Sequence, residues 1–136
     1  MKKTRIAATA SPLAMLLLLT GCFPSGTVYS VLNREAEEGD RLPASVDGLD
    51  VNLDADSARF AGEHDGTRVW LALQPEERAV CVVVLPPDEG AFVGCGGDGG
   101  GVGAGGPTGT YTVIPDGAFA PEGAIELSEN VYYSED

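Results

Sequence analysis

Lysine and histidine are nearly absent from this 136-residue chain, and each shortage excludes a kind of site. Lys2 and Lys3 are the two lysines, so the glycine-rich stretch 94–107 lacks the lysine that a phosphate-binding P-loop requires. His64 is the single histidine, and any Ser-His or Cys-His mechanism would have to use it. A zinc site is disfavoured because the chain has neither a second histidine nor a paired C-x-x-C motif.

Positive charge is scarce, whereas negative charge is abundant. All 21 acidic residues lie beyond residue 21, together with five of the eight basic residues, which gives that part a formal charge of −16. A chain of this charge repels phosphate backbones and anionic head groups. We therefore expect no nucleic-acid partner, and acidity of this kind most often serves solubility.

The one long apolar run lies at the N-terminus. Three basic residues among the first five precede residues 6–19, a run shorter than the about 18 apolar residues of a membrane-spanning helix. The last leucine of this run and the three residues after it are Leu19, Thr20, Gly21 and Cys22. They resemble the lipobox of bacterial lipoproteins, in which the cysteine is diacylated and the preceding signal peptide is removed.

The lipobox resemblance implies a signal peptide at 1–21, with a helical apolar part, and a lipidated Cys22. Two acyl chains hold a protein firmly in a bilayer, whereas one holds it only marginally. Membrane lipid is then a partner through Cys22, and the expected location is the extracytoplasmic face of the cell membrane. A retained transmembrane anchor is the alternative.

The two remaining cysteines, Cys81 and Cys95, predict a disulfide. A hairpin centred on Asp88 pairs residues whose numbers sum to 176, which places the two cysteines opposite each other. Opposed residues in antiparallel strands lie within disulfide range, and an oxidising compartment preserves the bond. Two free thiols are the alternative.

From residue 57 onward, short apolar runs separated by turn residues predict a mainly β fold. We expect a small antiparallel meander or compact sandwich of about five to seven short strands stapled by one disulfide, with one short surface helix. The valines on both sides of 79–85 indicate a central strand that is covered on both faces. The predicted strands are 58–63, 67–73, 79–85, 91–95, 109–114, 124–127 and 130–133.

The first hairpin and the glycine-rich stretch carry two further predictions. A three-residue loop at His64-Asp65-Gly66 places Phe60 opposite Trp70 as an aromatic cross-strand pair. The stretch 94–107 is expected to be a surface loop because of its glycine content.

Residues 22–44 are predicted to be a tether that carries the surface helix, followed by the β domain at 45–136. Asn33 precedes a run of acidic residues and is a candidate N-cap for one or two helical turns over 34–38. Residues 28–32 are either a short strand or part of the tether.

An alternating acidic run at 47–56 is the one candidate metal site. Compared with an EF-hand loop, it has Ala55 where glycine is needed and Ala61 where a bidentate glutamate is needed. We favour an edge strand or a solvated loop with its acids in water, and a weak calcium site that also uses Asp98 is the alternative. The candidate oxygen ligands in the run are Asp50, Asn52, Asp54 and Asp56.

Several short motifs in region 42–133 resemble small secreted or lipid-anchored actinobacterial proteins. The motifs are Ser57-Ala58-Arg59, Gly62-Glu63-His64-Asp65-Gly66, Cys81, Cys95-Gly96-Gly97, Ile114-Pro115-Asp116-Gly117 and Ser128-Glu129-Asn130-Val131. The resemblance implies an extracytoplasmic address and a β-rich fold, and no catalytic residue.

Taken together, these features predict a lipid-anchored, non-enzymatic cell-envelope interaction module without a cofactor. Its partner would be an envelope protein or polymer. A calcium-binding module is the alternative, and an enzyme would depend on His64.

Overall fold

A computed structural model describes residues 27–97 and 101–136. No helix in this part of the chain has the length and the apolar character to cross a membrane. One short helix, α1, spans Ser30–Asn33, and single 3-10 turns span Glu38–Asp40, Ala44–Gly48 and Pro75–Glu77. The strands are β1 (Asp54–His64), β2 (Thr67–Gln74), β3 (Ala79–Leu85), β4 (Phe92–Gly96), β5 (Val102–Gly106), β6 (Gly109–Val113), β7 (Ile125–Ser128) and β8 (Val131–Ser134).

The strands form two four-stranded antiparallel sheets, one in the order β1-β2-β3-β4 and the other in the order β5-β6-β8-β7. Apolar side chains from both sheets meet in one core cluster between them, which includes Leu71, Val82, Tyr111, Val113 and Val131. The predicted mainly β class is confirmed, and the sandwich is the form it takes. Strand β3 is covered on both faces, as its valines predict.

The glycine-rich stretch contains a strand, so the prediction of a loop over all of 94–107 is wrong. Val102 and Ala104 of β5 are buried in the core, and glycines occupy the alternate positions. This is the period of two that a strand requires, with side chains on one face only. The strand brings the described total to eight, one more than the upper bound of the prediction.

Close approach of the two sheets explains one of these glycines. Strands β4 and β5 lie next to each other although they belong to different sheets. A Cβ atom on Gly94 would lie 2.6 Å from the carbonyl oxygen of Gly103. No side chain fits at that distance, so the edge between the sheets depends on a glycine at this position.

The first hairpin reaches the predicted aromatic pair by a different register. Asp65 and Gly66 form a two-residue turn with φ angles of 47° and 80°, so that His64 faces Thr67. A turn with positive φ angles matches the right-handed twist of the two strands in a tight hairpin. A bulge between Phe60 and Gly62 then shifts the register by one residue. Phe60 therefore lies opposite Trp70, with an edge-on ring separation of 5.5 Å.

The predicted disulfide is confirmed. Cys81 and Cys95 are direct partners in the β3–β4 ladder, in the register that the hairpin centre predicts. Their Cα atoms are 4.1 Å apart. Closing a loop of this length contributes about 3 kcal/mol to stability by restricting the unfolded chain.

Residues 42–53 cover the outer face of the first sheet, so the prediction of an edge strand at 47–56 is wrong for its first part. Strand β1 begins only at Asp54. Val46, Leu49 and Leu53 instead pack around Trp70, against the same sheet. These apolar residues pack on the sheet from a 3-10 turn and the segment that follows it, without pairing as a strand.

The predicted helix and tether are also misplaced. The helix ends at Asn33, where the sequence predicts that it begins, and Arg34 is extended. Tyr29 and Val31 are buried in the core, so the segment from residue 28 belongs to the folded unit and the predicted tether cannot extend to residue 44. The physical reason lies in Arg34, whose guanidinium bonds to Asp40, six residues further on and in a separate 3-10 turn.

Asp40 is a buried carboxylate, 4% exposed, that joins the N-terminal segment to β1. It accepts two hydrogen bonds from the Arg34 guanidinium, one from the amide of Glu37 at 2.6 Å and one from the amide of Phe60 at 2.7 Å. The bond from Arg34 is the main cause of a pKa for Asp40 far below the ordinary carboxyl value. The ionised form is thus the one that the fold stabilises.

We predict that acid removes this stabilisation. Because the pKa of Asp40 is lower in the folded than in the unfolded chain, its ionised form contributes fully to the free energy of unfolding above the unfolded pKa of about 3.9. This contribution declines as the pH falls below that value. Asp40→Asn should lower the free energy of unfolding by about 2 to 4 kcal/mol at pH 7. This is toward the lower end of the range for a broken buried ion pair, because Arg34 is partly exposed. Urea unfolding at pH 7 and pH 2.5 should show the difference from the unmodified chain shrinking in acid. Asp47→Asn, at an exposed position, is the control, and a difference independent of pH would contradict the account.

Candidate binding cleft

A cleft of about 500 Å³ opens at the end of the sandwich where the N-terminal segment enters. Tyr29 and Leu32 form one wall, and Leu73 and Val80, from β2 and β3, form the opposite wall. Its volume lies in the range of small-molecule sites. We call it the end cleft.

Part of the exposed apolar surface lies at the end cleft. Four large apolar side chains are exposed in the described part of the chain, and two of them line this cleft: Val28, 40% exposed, and Leu73, 37% exposed. The other two, Phe119 and Ile125, lie outside it. Surface of this kind gains free energy when an apolar group covers it.

The charge of the end cleft is opposite to that of the chain. Within the described residues, no carboxylate lines it, and Arg78 is its single charged residue. Three smaller clefts in the described residues are each lined by at least one Asp or Glu. The exposed Glu76 and Glu77 precede Arg78 in the chain without lining the cleft.

Arg78 holds an unusual backbone conformation at the rim of the cleft. Its φ and ψ angles are 51° and 40°, the left-handed region that glycine adopts more readily. Among the described residues, its guanidinium forms no ion pair. A strained residue with a free charge is a reason to look for a ligand there.

The α1 wall is held in place by a polar cluster, which we call the Asn130 clasp (Ser30, Val31, Ile114, Asp116 and Asn130). Fully buried Asn130 accepts a hydrogen bond from the amide of Val31 at 3.0 Å. It donates to the Ile114 carbonyl at 3.0 Å and to Asp116 at 2.8 Å. Asp116 in turn accepts bonds from the amide and hydroxyl of Ser30. The hydrogen bond from the Ser30 side chain, then that from Asn130, lowers the pKa of Asp116.

Two short sequence motifs, at 114–117 and 128–131, belong to this clasp. Ile114-Pro115-Asp116-Gly117 supplies the carbonyl and the carboxylate, and Ser128-Glu129-Asn130-Val131 supplies the amide side chain. These motifs therefore position the N-terminal wall of the cleft. The end cleft was not predicted from the sequence. The short apolar pattern of residues 28–32 is the signal that could have indicated one of its walls.

His64 lies at the opposite end of β2 from the cleft, beside a pocket of about 200 Å³. Its ring stacks on Tyr133 with centroids 4.0 Å apart, and its Nε2 atom lies 3.3 Å from the Asp65 carboxylate. Asp65 is almost fully exposed, so this contact contributes little. Threonines and tyrosines complete the pocket, and no serine or cysteine lines it.

The acidic candidates are not gathered into a metal site. No group of three or more His, Cys, Asp or Glu side chains within the described residues could hold a metal ion. Asp54 accepts a hydrogen bond from the amide of Asp56 at 3.1 Å, at the start of β1. Asp50 and Asn52 are exposed before that strand. Asp98 and the lipobox residues Leu19, Thr20, Gly21 and Cys22 lie outside the described residues.

Comparisons with protein families, with curated proteins and with solved structures found no match to this chain. Function is therefore inferred from the residues and their geometry.

We predict that the Asn130 clasp is a major support of the N-terminal wall. Asn130→Ala leaves the Val31 amide and the Ile114 carbonyl without these partners, which should cost about 2 to 4 kcal/mol. Urea unfolding measures that loss, and limited proteolysis should show faster cleavage near residue 30. Asn52→Ala, at an exposed position, should change neither. Equal stability of the two variants would contradict this role.

Proposed function

We propose that this chain is a lipid-anchored extracytoplasmic module that acts by binding and not by catalysis. The observation that carries the anchor is Cys22, which follows a basic start, an apolar run and Thr20-Gly21. A diacylated cysteine would retain the domain at the membrane in spite of its acidity.

The Cys81–Cys95 disulfide supports an extracytoplasmic address, since such bonds persist in oxidising compartments and are rare in the cytosol. The bond joins two strands of the same sheet, and its loss would remove a large share of the stability of a small domain.

The end cleft supports binding as the activity. Its polar lining consists of Thr27, Asn33, Gln74 and Arg78, together with backbone groups. A hydrolytic or acid–base reaction needs a nucleophile or a titratable acid or base beside the substrate. The described lining contains no Asp, Glu, His, Cys or Lys. The hydroxyl groups of Thr27 and Tyr29 therefore have no carboxylate, imidazole or amine in that lining to activate them, and its chemistry suits recognition.

The cleft also lies close to the proposed anchor. Thr27 lies five positions after Cys22, and an extended chain over five positions spans at most about 18 Å. A ligand in the end cleft would therefore be held near the membrane surface, where envelope proteins, polymers and lipids are available.

No observation in the described residues favours the calcium alternative. Asp50, Asn52, Asp54 and Asp56 follow one another along an extended segment and the start of β1, and they do not converge.

The lipid anchor predicts a clear effect of removing one thiol. Cys22→Ser should abolish processing at residue 21 and incorporation of labelled palmitate, because the sulfur that accepts the lipid is gone. Metabolic labelling and cell fractionation measure both.

Ser25→Ala, three residues further on, is the matched control and should be labelled and retained as the unmodified chain is. Unmodified protein that carries no lipid, or Cys22→Ser protein that is still processed and labelled, would contradict the anchor.

A further inference from the structure

We propose that the end cleft binds an amphipathic monoanion, a single alkyl chain that ends in a carboxylate of the fatty-acid type. This goes beyond the proposed function, since it depends only on residues 27–97 and not on the modification of Cys22.

The volume and lining of the cleft fit an alkyl chain. Tyr29, Leu32, Leu73 and Val80 line a space of about 500 Å³. The exposed fractions of Val28 and Leu73 show that this apolar surface continues to the rim. An alkyl chain would remove that surface from water, which is the main favourable term for an apolar ligand.

The charge at the rim selects the head group. Arg78 is the one charged residue in the lining, and its planar guanidinium can bind a carboxylate through two parallel hydrogen bonds. Because this is a single positive charge in a strongly acidic chain, a monoanion is better matched than a phosphate dianion. A neutral lipid would leave the guanidinium without a partner.

The absence of carboxylates in the lining is the third element. The described lining has no Asp or Glu, in a chain with 21 acidic residues, and it therefore lacks the like-charge repulsion that the three smaller clefts would impose on an anion. Carboxylates close to a site would repel an anionic ligand. Their absence from the described lining therefore permits an anion to bind.

The test uses the full chain in phosphatidylcholine vesicles and a photoreactive dodecanoic acid with a diazirine at the end of its alkyl chain. After irradiation, mass spectrometry identifies the labelled peptides, and unlabelled dodecanoate competes for the site. We expect saturable labelling of peptides that carry Leu32, Leu73 or Val80.

Two arginine variants separate a specific contact from a general charge effect. Arg78→Gly should weaken competition by dodecanoate by about tenfold to a hundredfold, the usual effect of losing a hydrogen-bonded charged partner. Labelling by the corresponding neutral diazirine alcohol should not change. Glycine adopts the backbone conformation of residue 78 readily, so the variant should fold. Arg41→Gln, which removes the same charge at an exposed position outside the cleft, should leave both probes unaffected.

A third variant tests the apolar wall. Leu73→Asp places a carboxylate in the cleft and should reduce labelling by the acid and by the alcohol. Because Asp54 lies opposite residue 73 and the like charges lower stability, labelling is measured well below the melting temperature of this variant. Labelling that does not saturate, that falls mainly on the peptide with Phe119, or that is weakened equally by the two arginine variants would overturn the proposal.

The anchor and the cleft are tested separately by Cys22→Ser. This variant should retain cleft labelling even where fractionation shows that the anchor is lost. Loss of cleft labelling in Cys22→Ser would contradict the assignment of the site to residues 27–97.

Discussion

Docking of the N-terminal segment by two buried polar side chains is the interaction on which the rest of the structure depends. Asp40 holds the segment to β1 through Arg34 and the Phe60 amide, and Asn130 holds α1 to the second sheet. Buried polar groups are costly unless they are fully hydrogen-bonded, so each fixes one arrangement of the chain. The segment thereby closes the core at one end, and residues 42–53 cover the outer face around Trp70.

The same docking creates the end cleft. Because α1 packs beside β1 and β2 without filling the space next to Leu73 and Val80, an apolar hollow remains with Arg78 at its rim. The acidic residues that the structure describes lie outside its lining, where they serve solubility and disfavour anionic surfaces. An anion with an alkyl chain can therefore be accepted at one place on a domain that repels it elsewhere. The proposed lipid anchor would set that place close to a membrane.

Sequence patterns predicted the features that depend on local periodicity and missed those that depend on distant partners. The register of Cys81 and Cys95 followed from the centre of one hairpin, and β3 followed from its valines. The Phe60–Trp70 pair was correct although the turn was not, because a bulge compensated for the shorter loop. The helix predicted after Asn33 failed because Arg34 has its partner six residues away and its next contact on β1. Strand β5 was hidden by its glycines, which occupy alternate positions and carry no side chain that would show a strand pattern.

Amide hydrogen exchange of Val31 and Phe60 tests the docking most directly. The Val31 amide donates to the Asn130 side chain at 3.0 Å, and the Phe60 amide donates to Asp40 at 2.7 Å. If both side chains hold the segment as described, these amides should exchange with protection close to that of Val82 in the core, since opening requires cooperative unfolding. Exchange of both at the rate of an unfolded chain, while Val82 stays protected, would contradict the account.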